Sequence, residues 1–230
     1  MDVAVLRMLV EDYRGVVREL NSWRRRLKFM KDRLPEHAVD YAERRIKQLK
    51  KEREQLKRQI EEALSSHPLW SEYLSYMWGF PPVQAAMIIA YIQDPRRFPT
   101  VSKLWRYAGM SPGQGPHAGN KAYHVKLKTA VYQAASTMMM AGSTRIKELY
   151  RRLRGEEDRK HPELHKAHRH MRAMRKLCKI LLYCIWRRWR DLLGVETPLP
   201  YAFDFLKHPQ GDYIHPEWLL EKKQPLHETP

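Results

Sequence analysis

The chain has 230 residues, enough for one large or two small domains with a sizeable core. Its 43 Lys and Arg against 26 Asp and Glu leave a formal net charge of +17, which favours a polyanionic partner, nucleic acid first, while 43% hydrophobic residues and seven Trp exclude a disordered basic tail. No apolar run is long enough for a membrane span, the first ten residues lack a signal peptide's basic start, and Cys178 and Cys184 fit neither a disulfide framework nor a CxxC pair, so a reduced cytoplasmic, nucleoid-associated protein with no membrane partner is expected.

The charge divides the chain. Residues 1–68 carry 17 basic and 12 acidic side chains, residues 69–196 carry 23 and 9, and residues 197–230 carry 3 and 5. The same boundaries separate three expected regions: a coiled-coil hairpin, a basic helical domain and a Pro-rich tail. The expected fold class is all-α.

In the first region Leu6, Leu9, Tyr13, Val16, Leu20, Trp23, Leu27, Met30 and Leu34 recur at alternating spacings of three and four, the seam of a coiled coil, and Pro35 ends the run. Val39, Ala42, Ile46, Leu49, Leu56, Ile60 and Ala63 repeat it, interrupted once by Arg53. The spacing predicts two helices of about 40–45 Å that fold back as an antiparallel hairpin through residues 34–38. Alone, such a pair leaves much of its seam in water. A homodimer through a four-helix arrangement is therefore expected, the alternative being a pair packed on the rest of the chain.

Beyond His67-Pro68, Trp70–Met77 reads as a short helix, and Trp78-Gly79-Phe80-Pro81-Pro82 as a tight turn into an apolar helix over Val83–Ile92. Helix, glycine turn, helix is the pattern of a helix-hairpin-helix, whose backbone N–H groups hold a phosphate, so Gly79, Phe80 and Val83 are candidate contacts. Pro81 stands where such turns carry a second glycine and has no N–H to donate, and a purely structural connection fits the same residues. Asp94–Pro99 is a rigid loop offering Arg96 and Arg97, and Thr100 is placed to cap a helix over Val101–Ala108. Residues 109–121 hold four of the ten glycines and two prolines, without P-loop spacing. Here His117, Gly119 and Lys121 are the candidate contacts.

Tyr123–Met140 reads as a helix that buries Val125, Ala130, Val131, Ala134, Ala135 and Met138 and offers Lys126 and Lys128. Ile146–Leu153 reads as a basic helix with Arg151 and Arg152, and Gly155-Glu156-Glu157-Asp158 as a turn. His161, His165 and His168 share one helical face, the geometry of a metal site, yet their cationic surroundings favour a basic or pH-sensitive surface. No metal and no other cofactor is expected. From Arg169 to Leu193 an amphipathic helix places Arg172, Arg175, Lys176 and Lys179 as phosphate contacts. Trp186 and Trp189 fit base stacking between arginines or a buried core equally well. Six prolines beyond Gly194 describe an extended tail, wrapped on the domain by Tyr201, Phe203, Phe205, Tyr213 and Trp218.

The ordered series Gly79-Phe80-Pro81-Pro82-Val83-Gln84-Ala85-Ala86, Asp94-Pro95-Arg96-Arg97-Phe98, Leu104-Trp105-Arg106-Tyr107-Ala108-Gly109-Met110-Ser111-Pro112 and Gly119-Asn120-Lys121 resembles the C-terminal domain of the one-ten/one-sixteen/nine-oh-two insertion-sequence transposases, relatives of the pilin-gene invertases. The likeness covers about residues 70–190, and the hairpin resembles the coiled coil that precedes this domain in the family. It implies an RNA-guided DNA recombinase with a RuvC-like domain, four acidic metal ligands and a catalytic serine. Here the sequence opens on the hairpin, and Asp2, Glu11 and Asp12 lie on a coiled-coil face, not on strands. The family's serine precedes its Gly-Gly-Lys, a place held here by His117-Ala118, which leaves Ser111 and Ser102 as weak catalytic candidates.

The expected function is a transposase-like protein that grips DNA, with or without a guide RNA or DNA–RNA hybrid, without strand transfer of its own. An active subunit served by a separate nuclease, or a coiled-coil adaptor that packs the nucleoid, are the alternatives.

Overall fold

The computed structural model describes residues 2–111, 123–204, 206 and 213–221. Every regular element among them is helical, so the protein is all-α. The chain divides between His67 and Pro68 into two compact units.

The first unit is a pair of helices. The Asp2 carboxylate accepts from the Ala4 N–H at 2.8 Å and starts α1 (Val3–Met30). After a 3-10 turn over Lys31–Arg33, Pro35 precedes α2 (Glu36–Ser65). Glu19 binds Arg45 at 2.8 Å and the Trp23 and Tyr41 rings lie 5.8 Å apart, so residue numbers rise on one helix as they fall on the other and the pair is antiparallel. Val16, Leu20 and Leu49 form its centre, with Trp23, Ile46 and Leu56 packed against them. Burial is uneven along the seam. Leu6, Val10, Ile60 and Leu64 are fully buried, whereas Phe29, Met30 and Tyr41 stand in water beside a cleft of about 620 Å³ lined by Trp23, Leu27 and Leu34.

The second unit is built around α4 (Pro82–Ile92), which is apolar on every side; Val83 and all of Ala85–Ile92 are buried. Before it come α3 (Pro68–Glu72) and a 3-10 turn over Leu74–Tyr76, in place of the single helix expected over Trp70–Met77. At Gln93, φ +65°, the chain leaves α4 through a tight turn closed by the Asp94 N–H on the Ile92 carbonyl at 2.8 Å. It then enters a 3-10 turn over Pro95–Arg97 and α5 (Val101–Tyr107). Thr100 occupies the cap position of α5, but its hydroxyl makes no capping bond.

Against α4 lies α6 (Val125–Met140), whose buried face, Leu127, Ala130, Val131, Ala134, Ala135 and Met138, is rich in alanine and allows close approach. Val125 and Met140 are exposed, against the expectation that Val125 joins the core. The last two long helices, α7 (Thr144–Lys160) and α8 (Lys166–Leu192), pack along one another.

Here the structure corrects two expectations. α7 runs straight through Gly155 where a turn was expected; a helical glycine costs about 1 kcal/mol, and the burial of Leu149, Leu153 and Glu157 outweighs it. His161 consequently ends α7 and His165 caps α8, so the three histidines share no helical face. The tail carries a short α9 (Tyr201–Asp204) and a final strap, residues 213–221. Tyr73 donates to the Pro216 carbonyl at 2.8 Å, the Tyr183 and Tyr213 hydroxyls meet at 2.6 Å, and Leu219 is buried.

Candidate nucleic-acid interface

The basic side chains of α8 fall on two edges with opposite surroundings. On the edge facing α7, Lys176 and Arg172 meet the buried Glu157 carboxylate at 2.7 and 2.5 Å, and Lys176 also reaches Glu156 at 3.3 Å. Asp158 takes Arg154 and Arg169 at 3.1 and 3.2 Å. Burial pushes the Glu157 carboxyl upwards, but the hydrogen bonds and charges of Lys176 and Arg172 outweigh it and hold the group below its usual range. The acidic run 156–158 thus neutralises four basic residues. Arg172 and Lys176, both expected to hold phosphates, are engaged in this internal network.

The edge facing α6 is different. Arg175 and Lys179 of α8 gather with Lys128 of α6, and among the described residues no carboxylate pairs with any of the three. The Lys179 ammonium lies 4.2 Å from the centre of the Trp105 ring, whose indole N–H donates to the Lys179 carbonyl at 3.0 Å. The Lys128 ammonium lies 4.8 Å over the Tyr123 ring. Burial first, and then the Arg175 charge, hold both lysines below the usual ammonium range. Cationic groups kept half out of water beside like charge, with only aromatic faces against them, are poised to gain from an anion.

The same edge adjoins Gly109 and Tyr123, the described residues that flank the glycine-rich segment. Gly109 has φ +69° and touches Tyr123 so closely that a Cβ there would sit 2.3 Å from the ring, and the His124 N–H donates to the Tyr107 carbonyl at 2.7 Å. Of the loop candidates, His117, Gly119 and Lys121 lie outside the described residues, as does the Ala118 that stands with His117 in the serine's place. Ser111 is half-buried at the loop's entry, and Ser102 is exposed on α5.

The remaining expected contacts are dispersed. Phe80 and Val83 point into the core, so only their backbone is available, and Gly79 (φ +70°) packs on Ala141, where a Cβ would lie 2.4 Å away. Arg96 binds Asp94 at 2.8 Å. Arg97 donates to the Ile92 carbonyl and the Gln93 side chain and stacks over Phe98 and Tyr107. Lys126 is half-buried, and Arg151 and Arg152 are exposed on α7. Trp186 is fully buried, its indole N–H shared between the Pro95 and Phe98 carbonyls at 3.2 Å, and Trp189 is buried too, which decides for core over base stacking. Arg190, also buried, donates to the Glu196 carbonyl. The Cys178 thiol, buried beside Lys128, is pushed up to about 12, and burial raises Cys184 as well, so neither is a reactive thiolate.

One feature escaped the sequence reading. Ala141-Gly142-Ser143 joins α6 to α7 in a second helix–glycine–helix corner, set directly against the first by the Gly79–Ala141 contact and by the Trp78 indole N–H on the Ala141 carbonyl at 2.8 Å. The signal was present: a glycine, a capping serine, then a periodic helix.

Among the described residues no cluster of three or more His, Cys, Asp or Glu could hold a metal, and no helix is long and apolar enough to cross a membrane. The described residues form an all-α protein with a basic surface walled by Trp105 and Tyr123. Residues 71–151 match the family model of the IS116/IS110/IS902 transposases, so this segment of the chain is similar to that insertion-sequence transposase family. The match runs from α3 into α7 and stops short of α8. No curated protein matches the chain.

Proposed function

We propose that this transposase-like protein grips duplex DNA, or a DNA–RNA hybrid, through its phosphates, at the edge formed by Lys128, Arg175 and Lys179. The supporting observation is the contrast between the edges of α8: cations on one edge are matched by carboxylates, while on the other Lys128 and Lys179 are kept partly desolvated against Tyr123 and Trp105, beside an exposed Arg175, and none of the three has a carboxylate partner among the described residues. Such a surface reads backbone, not base sequence. The two glycine corners lie on the same domain and supply helix N-termini for further phosphates. In this reading the hairpin joins two copies through its water-exposed Phe29, Met30 and Tyr41, the central domain binds, and the tail braces it. No strand transfer of its own is assigned to it.

The test is a salt titration of binding to random-sequence duplex. Each phosphate contact contributes about −0.9 to the slope of log affinity against log salt, so three contacts make binding steeply salt-dependent. Absent or salt-insensitive binding sinks the reading.

A further inference from the structure

α7 receives an anion from far away in sequence. The Glu221 carboxylate of the final strap accepts from the Ser143 hydroxyl at 2.5 Å, the Arg145 N–H at 3.0 Å and the Thr144 N–H at 3.3 Å. A 17-residue helix presents partial positive charge and unpaired N–H groups at this end, so a carboxylate there is favourable. Yet the helix is already capped without it, because Ser143 Oγ accepts from the Ile146 N–H at 3.2 Å. The first turn of α7 contains no acidic residue and carries Arg145 instead. That guanidinium is parked over the Trp218 ring at 5.2 Å, on the same strap. A cleft of about 660 Å³, walled by Trp78, Gly142, Arg145 and Glu221, opens beside these donors and has room for a phosphate group. The strap itself is anchored elsewhere: by Tyr73 on Pro216, by Tyr183 on Tyr213, and by the Glu221 N–H on the Tyr76 carbonyl at 3.3 Å. Removing the carboxylate from the corner therefore needs one side-chain rotation and no loss of the strap.

We propose that Glu221 is a built-in phosphate substitute that holds a second anion subsite shut: a nucleic-acid phosphate displaces it from Ser143, Thr144 and Arg145, and Arg145 leaves Trp218 to join the phosphate. The inference rests on the reading of this domain as a nucleic-acid grip and adds an autoinhibitory contact to it. A capping role alone predicts that loss of the carboxylate weakens or leaves unchanged the binding of nucleic acid; the proposal predicts the reverse.

The full chain carrying Glu221→Gln is titrated with random-sequence duplex DNA beside wild type and Glu217→Gln, which removes one exposed charge from the same strap. E221Q is expected to bind about three- to tenfold more tightly than wild type, with a salt slope steeper by about one. E217Q does not reproduce the gain, and Arg145→Ala added to E221Q abolishes it. Equal or weaker binding by E221Q, or an equal gain in E217Q, overturns the proposal. A second measurement separates it from the DNA reading: inorganic pyrophosphate moves the Thr144 and Arg145 amide resonances in E221Q and leaves them in place in wild type. If no variant binds duplex while pyrophosphate moves those amides, the DNA reading falls and the subsite stands. If pyrophosphate moves neither amide in E221Q, the subsite falls.

Discussion

Arg175 and Lys176 are neighbours in sequence and about 100° apart around α8, and the two edges they head have opposite electrostatics. Lys176 points to a buried carboxylate 2.7 Å away, in a network where three acids hold four bases. Arg175 lies near two lysines, each set against an aromatic ring. The first arrangement stabilises the α7–α8 pair and offers little to a ligand. The second costs the fold something, since like charges are held together partly out of water, and is the kind of local inconsistency that binding surfaces carry. A basic count is thus a poor measure of a basic surface. What matters is which cations the fold leaves without acids.

The largest effect should come from breaking the compensated edge. Arg172→Ala with Lys176→Ala leaves the Glu157 carboxylate, 1% exposed, without either partner. Stranding a buried charge in this way typically costs about 3–5 kcal/mol, to be read from the denaturant midpoint. Arg175→Ala with Lys179→Ala should do the opposite. Stability stays level or rises as repulsion is relieved, while duplex affinity falls about tenfold and the salt slope shallows by about two. If the two double variants lose affinity equally at equal fold integrity, the distinction between the edges is wrong.

How much of this was legible beforehand follows the physics of each signal. The seam of α1 and α2 and the amphipathic α8 are readable because one buried face repeats every three or four residues, and α4 because its apolar run is nearly unbroken. Three of the expected phosphate contacts, Lys128, Arg175 and Lys179, come together, but Arg172 and Lys176 do not, because the residues that neutralise them were read as a turn. Gly155 carried that error: tertiary packing of Leu153 and Glu157 overrode a weak local preference. The burial of Trp186 was undecidable locally, since its partners are carbonyls about 90 residues upstream. Arg96 and Arg97 resemble free cations in sequence, but the loop folds their guanidiniums onto Asp94, Ile92 and Gln93. Glu221 on the α7 corner, 77 residues from Thr144, lies beyond any local rule.

The smallest effect, and the one that separates the edges most cleanly, is pH dependence. Glu157 has a folded pKa below its ordinary value, so its contribution to stability is complete above the unfolded carboxyl range and is lost as pH falls through the folded value. Lys128 and Lys179 are also lowered, which for a base has the reverse meaning: between the folded value and the ordinary lysine range the unfolded chain binds more protons, so stability rises with pH there. Binding runs the other way in that alkaline window. A phosphate favours the charged lysines, so duplex affinity should fall as pH rises towards the lysine range, and proton uptake should accompany binding. Isothermal titration in two buffers of different ionisation heat reads that uptake directly. The K128M/K179M variant should show less of it, whereas E157Q should remove only the acid-side loss of stability. Uptake undiminished in K128M/K179M would mean that the desolvated lysines are not where the phosphates land.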